Sequence, residues 1–124
     1  MVKTWIGMAA LMACAGAQAA LSPTARIEVQ YLLDTVGQSG CKFNRNGSWY
    51  DAKAARSHLQ TKLEYLEKKD LVTTAESFIE RGASTSSSSG KAYQIQCPGS
   101  PAVDSAKWFR EELKRYRLRT SPGA

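Results

Sequence analysis

The sequence predicts an α+β domain in which about four helices cover a small antiparallel sheet of about three strands, closed by one disulfide. Three observations predict this class. Four segments carry apolar residues at the i, i+3, i+4 spacing of amphipathic helices. Short segments near Phe43 and Ile95 alternate apolar and polar residues, as half-buried strands do. Two cysteines, Cys41 and Cys97, remain once an N-terminal export signal is removed.

The N-terminus has the pattern of an export signal. Lys3 precedes an uncharged apolar stretch, and Ala17-Gln18-Ala19 is a small-residue cleavage motif, which predicts a signal peptide over residues 1–19. The stretch is shorter than the roughly 20 apolar residues that span a bilayer, so we expect no transmembrane segment in the mature protein. Alternatively, Leu11-Met12-Ala13-Cys14 is a lipobox, and the protein is anchored through a lipid on Cys14. We therefore expect a periplasmic, secreted or lipid-anchored domain.

Cleavage decides how the cysteines are interpreted. Cys14 is lost with the signal peptide, which leaves two of the three cysteines. In an oxidising compartment, two cysteines far apart in the sequence are typical of a disulfide rather than a metal site. We predict a Cys41–Cys97 bond within a single globular domain over residues 20–119, followed by a disordered tail over residues 120–124.

Capping residues mark the first two helices. Ser22-Pro23 begins a helix that ends near Gly37, with Ser as the cap and Pro in the first turn. Asp51 caps a second helix that continues to about Lys69. The apolar residues of the second helix lie on one side, and charged residues fill the other side.

Two shorter patterns predict the remaining helices. Thr73 and Glu76 fit a capping box for a third helix, which Gly82 ends. A last helix runs from about Asp104 to Arg117 and has a strongly basic exposed face. Its predicted core residues are Trp108, Phe109, Leu113 and Tyr116.

The predicted strands lie on either side of a serine-rich loop. Asn46-Gly47 supplies the two positive-φ positions of a type I′ hairpin turn, which pairs Phe43 with Tyr50. Residues 83–90 show no periodicity and contain no side chain that would build a core, so we expect a loop there. Residues 93–97 alternate apolar and polar side chains, and the disulfide would place them beside the hairpin as a third strand.

Several spaced motifs resemble a known family. They are Ser39-Gly40-Cys41-x-Phe43-x-Arg45-Asn46-Gly47-x-Trp49-Tyr50, His58-Leu59-x-x-Lys62, Ala75-Glu76-x-Phe78-Ile79, Ser89-Gly90-Lys91-x-Tyr93-x-Ile95-x-Cys97 and Tyr116-Arg117. From about residue 26 to 117 the chain resembles the YfeK-like family of small exported bacterial proteins. The resemblance implies an envelope protein with its two cysteines paired, and it supplies neither an activity nor catalytic residues.

The second helix carries a candidate polar pocket. His58, Lys62 and Tyr65 recur on one side of it, at helical spacing. At the hairpin, Arg45, Asn46, Trp49 and Tyr50 offer a cation and two aromatic rings for stacking a sugar or holding a partner; alternatively, the aromatic residues belong to the core and Asn46-Gly47 serves the turn itself. The alternative interpretation is a half-buried histidine beside solvated surface residues. One histidine without a free cysteine leaves too few ligands for zinc, so we predict neither a metal nor a cofactor.

The serine-rich loop matches several short motifs. Ser88-Ser89-Gly90-Lys91 fits S-x-x-K, but the S-D-N and K-T-G partner motifs of penicillin-recognising enzymes do not occur, and the phosphate-loop pattern also fails. Ser89, Lys91 and Tyr93 fit S-G-x-x-Y, a motif similar to the loop with which exported lysozyme inhibitors enter the cleft of lysozyme. A loop with a hydroxyl and a lysine suits a groove that works with two carboxylates. The alternative is a flexible, solvated connection.

The last helix is the most basic segment of the chain. Its six basic residues are Lys107, Arg110, Lys114, Arg115, Arg117 and Arg119. Such a patch would attract an anionic envelope component, for example a lipid phosphate, or another exported protein that is acidic. Nucleic acid is not expected as a partner after export. Alternatively the patch is a solvated helix face, supported in part by i,i+4 ion pairs with Glu111.

Taken together, the residues favour an exported binding or interaction module of the envelope. No set of nucleophile, base and orienting group is recognisable in the sequence, so we assign no catalytic residue. Two alternatives remain open. One is a lysozyme-inhibitor-like protein, and the other is an enzyme in which His58, Lys62, Tyr93 and a loop serine converge in one pocket.

Overall fold

A computed structural model describes residues 20–121, and within them four helices and four strands confirm the α+β class. In chain order the elements are α1 (Pro23–Gln38), β1 (Lys42–Arg45), β2 (Ser48–Tyr50), α2 (Ala52–Lys68), α3 (Ala75–Gly82), β3 (Gln94–Gln96), β4 (Val103–Asp104) and α4 (Ser105–Thr120). The predicted signal peptide, its lipobox alternative at Cys14 and residues 122–124 lie outside the described residues. Within the described range, no helix is both long and apolar enough to cross a membrane.

The predicted caps of the first two helices are confirmed, and the third is shifted by one residue. The Ser22 and Asp51 side chains accept hydrogen bonds from backbone N–H groups in the first turns of α1 and α2. The α3 cap is Thr74 rather than Thr73, and its capping-box partner is Ser77 rather than Glu76. With the cap at Thr74, Glu76 is the second residue of the helix and not the capping-box position; its carboxylate accepts hydrogen bonds from the Arg117 guanidinium.

The sheet has one strand more than the sequence predicted, in the order β2-β1-β3-β4. Phe43 pairs with Tyr50, as predicted, and the turn residues Asn46 and Gly47 have φ values of 54° and 86°. β3 lies antiparallel to β1, and the predicted disulfide joins Cys41 to Cys97 beside that pair. The additional strand, β4, has only two residues, too few to show an alternating pattern.

One core lies between the sheet and the helices. Phe43 and Ile95 contribute to it from the sheet, and Phe109 and Leu113 contribute from α4, as predicted. The other predicted core residues of α4, Trp108 and Tyr116, are only half-buried. The helix continues to Thr120, so the tail predicted from that residue begins no earlier than residue 121.

The serine-rich segment is more structured than the sequence suggested. Its first residue, Ala83, is fully buried in the core, and Ser86 is buried as well. A bridge between Thr85 and Ala92 joins the two ends of the loop. Inside it, the Ser86 N–H donates to the Lys91 carbonyl at 2.9 Å and the Gly90 N–H donates to the Ser86 carbonyl at 2.8 Å. The segment is therefore a closed loop with a fixed backbone path.

Candidate functional site

Three of the predicted site residues meet at one buried hydroxyl group. Tyr93 is 1% exposed, and its phenol oxygen lies 3.0 Å from His58 Nε2 and 3.1 Å from Lys62 Nζ. The Lys62 ammonium also donates to the Thr85 carbonyl at 2.9 Å. His58 and Lys62 meet the phenol together because residues four apart lie on one face of α2. Tyr65, predicted on the same side, is exposed, and no described hydrogen bond joins it to this group.

The backbone fixes the position of Tyr93. Its N–H donates to the Ser84 carbonyl at 2.9 Å, and its carbonyl accepts from the Ser105 N–H at 2.9 Å. Its ring packs against Phe43, with the two ring centroids 5.0 Å apart. The backbone of Tyr93, just before β3, is thus fixed by the serine-rich loop and by the start of α4, and its ring is fixed by Phe43.

Arg45 adds a third basic group beside His58 and Lys62. Burial, together with these charges, determines the protonation states of His58 and Tyr93. Burial first, then the Arg45 and Lys62 charges, lower the pKa of His58 below its ordinary value. Burial and the Arg45 charge lower the pKa of Lys62, and burial raises the pKa of Tyr93. At neutral pH His58 is therefore neutral and the phenol is protonated. Because the Lys62 ammonium only donates, the phenol proton is directed to His58 Nε2, which assigns the ring proton to Nδ1.

We call Arg45, His58 and Lys62 the basic cluster. None of the ion pairs among residues 20–121 includes any of the three. In addition, Arg45 Nε is buried and has no hydrogen-bond acceptor within the described part of the chain. Buried basic groups are normally paired, since an unpaired donor loses its hydration without replacement. The basic cluster therefore carries positive charge that no carboxylate among residues 20–121 neutralises in an ion pair.

A small cavity of about 130 Å³ adjoins the basic cluster. It lies between the hairpin and the first half of α2, and its walls are Phe43, Arg45, Tyr50, Ala54, Ala55 and His58. Arg45 follows Phe43 by two residues on β1, and Tyr50 pairs with Phe43, so all three lie on the same face of the sheet. Trp49 pairs with Asn44 and lies on the opposite face, which removes it from this site.

The serine-rich loop is attached to the hairpin turn rather than to the basic cluster. The Asn46 amide donates to Ser86 Oγ at 3.1 Å and accepts from Ser89 Oγ at 2.5 Å. Among the described hydrogen bonds, none joins a loop serine to His58 or Lys62. The convergence expected for a serine enzyme is therefore met by three of its four groups and not by the nucleophile.

The structure also separates the members of the S-G-x-x-Y motif. Ser89 and Lys91 are exposed, whereas Tyr93 is buried in the core. The Lys91 side chain makes no described hydrogen bond and does not join the basic cluster. Tyr93 is thus a structural and site residue rather than a loop residue that another protein would contact. Inhibition of lysozyme by the exposed part of this loop stays a prediction.

The basic residues of α4 do not form one free patch. Arg117 binds the Glu28 and Glu76 carboxylates, and Arg115 pairs with Glu112. Two others are partly engaged, because Lys107 lies 3.9 Å from Glu111 and Arg119 donates to the Tyr31 hydroxyl. Within the described residues, Arg110 and Lys114 have no ion pair. The exposed basic character of α4 is therefore smaller than its composition suggests.

Two residues of the hairpin have roles that the sequence left open. Tyr50, for which a core position was the alternative, is 37% exposed and lines the cavity. Asn46 forms the turn, and its amide also holds the serine-rich loop. The Phe43–Tyr50 pairing contained the signal for Tyr50, since it places both rings on the face of Arg45. No local signal indicates that Asn46 bonds to residues 40 and 43 positions away.

Residues 23–117 match the family of unknown function DUF5329, which covers most of the chain. Neither a curated protein nor a solved structure shows a significant match.

Proposed function

Because the chain belongs to the DUF5329 family of unknown function, we propose its role from its own residues: an exported binding module of the bacterial envelope that holds an anionic ligand at the basic cluster. One observation carries the proposal. Three basic side chains converge beside a buried phenol, and none of them has a carboxylate partner within the described residues. An anion supplies that partner.

The chemistry favours binding over catalysis. The phenol of Tyr93 is buried, and its raised pKa keeps it protonated. The neutral imidazole of His58 is already engaged with that phenol, so neither group is poised to remove a proton from a substrate. Lys62 is fixed by two acceptors. The cluster thus supplies preorganised positive charge and hydrogen-bond donors.

Binding is tested by titrating the protein with acetate, phosphate and sulfate at constant ionic strength, using calorimetry. We expect saturable 1:1 binding of at least one anion. Arg45→Met and Lys62→Met should each weaken binding about tenfold or more, because a charge-assisted hydrogen bond contributes about 1.5–3 kcal/mol.

The matched control is Lys114→Met, which removes an exposed basic group of α4 that has no ion pair within the described residues. Binding should be unchanged in this variant. Equal weakening in the control and the cluster variants would mean that only the overall positive charge attracts anions. Absence of saturable binding for every anion would refute the proposed function.

Export is supported by the N-terminal pattern and by the resemblance to YfeK-like exported proteins. The Cys41–Cys97 disulfide is the kind of bond that persists in an oxidising compartment. Expression of the full chain in a Gram-negative host, followed by fractionation and intact-mass measurement, tests it. A periplasmic product beginning at Ala20 is expected. A lipid-modified product beginning at Cys14 supports the anchored alternative, and a full-length cytoplasmic product contradicts export.

A further inference from the structure

The cavity beside the basic cluster has two kinds of wall. Arg45 and His58 form a polar wall. The remaining walls are the rings of Phe43 and Tyr50 and the methyl groups of two alanines of α2, Ala54 and Ala55. A ligand in this space therefore meets hydrogen-bond donors on one side and apolar surface on another, and the space is partly open to solvent.

The contrast between polar and apolar walls favours some anions over others as ligands. Phosphate and sulfate carry oxygens in every direction, so some of these oxygens would face the Phe43 and Tyr50 rings without a donor, at a cost typical of buried unsatisfied polar groups. A carboxylate concentrates its charge at one end. It can accept hydrogen bonds from Arg45 and His58, while the group attached to it contacts the apolar walls.

The size of the cavity limits the attached group. An apolar protein cavity of about 150 Å³ admits benzene, which has six non-hydrogen atoms. A cavity of about 130 Å³ therefore admits about five non-hydrogen atoms by the same scale. Three of these belong to the carboxylate, which leaves room for two further carbons.

We infer that this cavity binds a carboxylate bearing a short apolar group of two carbons, with the carboxylate on Arg45 and His58 and the apolar group against Phe43, Tyr50 and Ala54. The inference rests on the proposed anion binding at the basic cluster and names its ligand class. Free short-chain acids and the C-terminal alanine of a peptide both present this chemistry.

The test is a calorimetric series with acetate, propanoate, butanoate and hexanoate, together with phosphate. Each methylene that enters the cavity should increase affinity about fourfold, the equivalent of about 0.8 kcal/mol per buried CH₂. The gain should stop after propanoate, because further carbons would extend beyond the cavity. N-acetylalanine and its amide distinguish the two sources. If N-acetylalanine binds at least as tightly as propanoate and its amide does not bind, the ligand is a peptide C-terminus. If N-acetylalanine binds more weakly than propanoate, the ligand is a free acid.

Ala54→Leu fills the apolar part of the cavity from an exposed position on α2. It should reduce propanoate affinity about tenfold or more and leave acetate less affected. Thr61→Leu, at another exposed position of the same helix, is the matched control and should change neither.

The outcomes separate the two levels of the proposal. If phosphate binds and the carboxylate series shows no dependence on chain length, the ligand class is wrong while anion binding stands. If neither phosphate nor any carboxylate binds, both fail. Since the chain-length series uses the unaltered protein, poor folding of a variant would not remove the test.

Discussion

Replacing Arg117 with Met should destabilise the fold through a buried carboxylate rather than through loss of surface charge. Arg117 Nε and Nη2 donate to Glu28 at 2.7 and 2.9 Å, and the Glu28 side chain is only 10% exposed. Arg117 also donates to Glu76, whose side chain is 57% exposed. The substitution would leave the Glu28 carboxylate buried without its partner, in the interface where α4 meets α1 and α3.

The magnitude follows from these exposures. Removing one partner of a fully buried ion pair costs about 3–5 kcal/mol, and exposed pairs contribute about 0–1 kcal/mol. Because Arg117 itself is 42% exposed, we expect a loss of about 2–3 kcal/mol in the free energy of unfolding, or roughly 10 °C in Tm. Urea denaturation at pH 7 measures it.

The matched control is Arg110→Met, which alters an exposed arginine of the same helix without an ion pair within the described residues. It should change stability by less than about 0.5 kcal/mol. The Glu28→Gln, Arg117→Met double variant should recover part of the loss, since the uncompensated charge is gone. An Arg117→Met variant as stable as the control would refute this account of the contact.

Three further predictions concern other parts of the fold. Replacing Cys41 and Cys97 with Ser should lower the free energy of unfolding by about 4 kcal/mol, given the 56-residue separation; a denaturant midpoint equal to that of the oxidised protein would contradict this. Asn46→Gly preserves the turn but removes both bonds to the serine-rich loop, so the Gly90 amide should exchange faster; unchanged protection would show that Asn46 does not hold the loop. Because folding lowers the pKa of His58, this residue is protonated at a higher pH in the unfolded chain than in the folded one. The free energy of unfolding should therefore fall as pH drops below about 6.5 and level off below the folded-state pKa. His58→Gln should remove this dependence, and an unchanged slope would assign it to other groups.

The parts of the fold that were predictable depend on local chemistry. Ser22 and Asp51 bond to N–H groups three residues away, so the sequence nearby contains the whole signal. Asn46-Gly47 likewise determines its turn without help from the rest of the chain. The α3 cap was misplaced because Thr73 and Thr74 are chemically equal candidates. Each has a possible capping-box partner three residues later, Glu76 for Thr73 and Ser77 for Thr74, and Glu76 binds Arg117, which is 41 residues away.

The candidate site also has one part that local sequence predicts and another that depends on contacts between distant residues. The pairing of His58 with Lys62 follows from helical spacing, and the sequence suggested it. Their meeting at Tyr93 depends on how α2 packs against the entrance to β3, across separations of 35 and 31 residues. Arg117 looked like part of a surface patch because its partner Glu28 is 89 residues distant. Ion pairs between distant segments leave no periodicity in the sequence.

Anion binding at the basic cluster is tested most directly by the imidazole of His58. The chain contains a single histidine, so one set of imidazole NMR signals followed against pH reports this site alone. In the free protein the pKa of His58 should lie below 6.5, because burial and the charges of Arg45 and Lys62 disfavour the imidazolium. Saturating propanoate should raise that pKa, since a bound carboxylate favours the protonated ring. A pKa at or above 6.5 that neither propanoate nor phosphate changes would contradict the account.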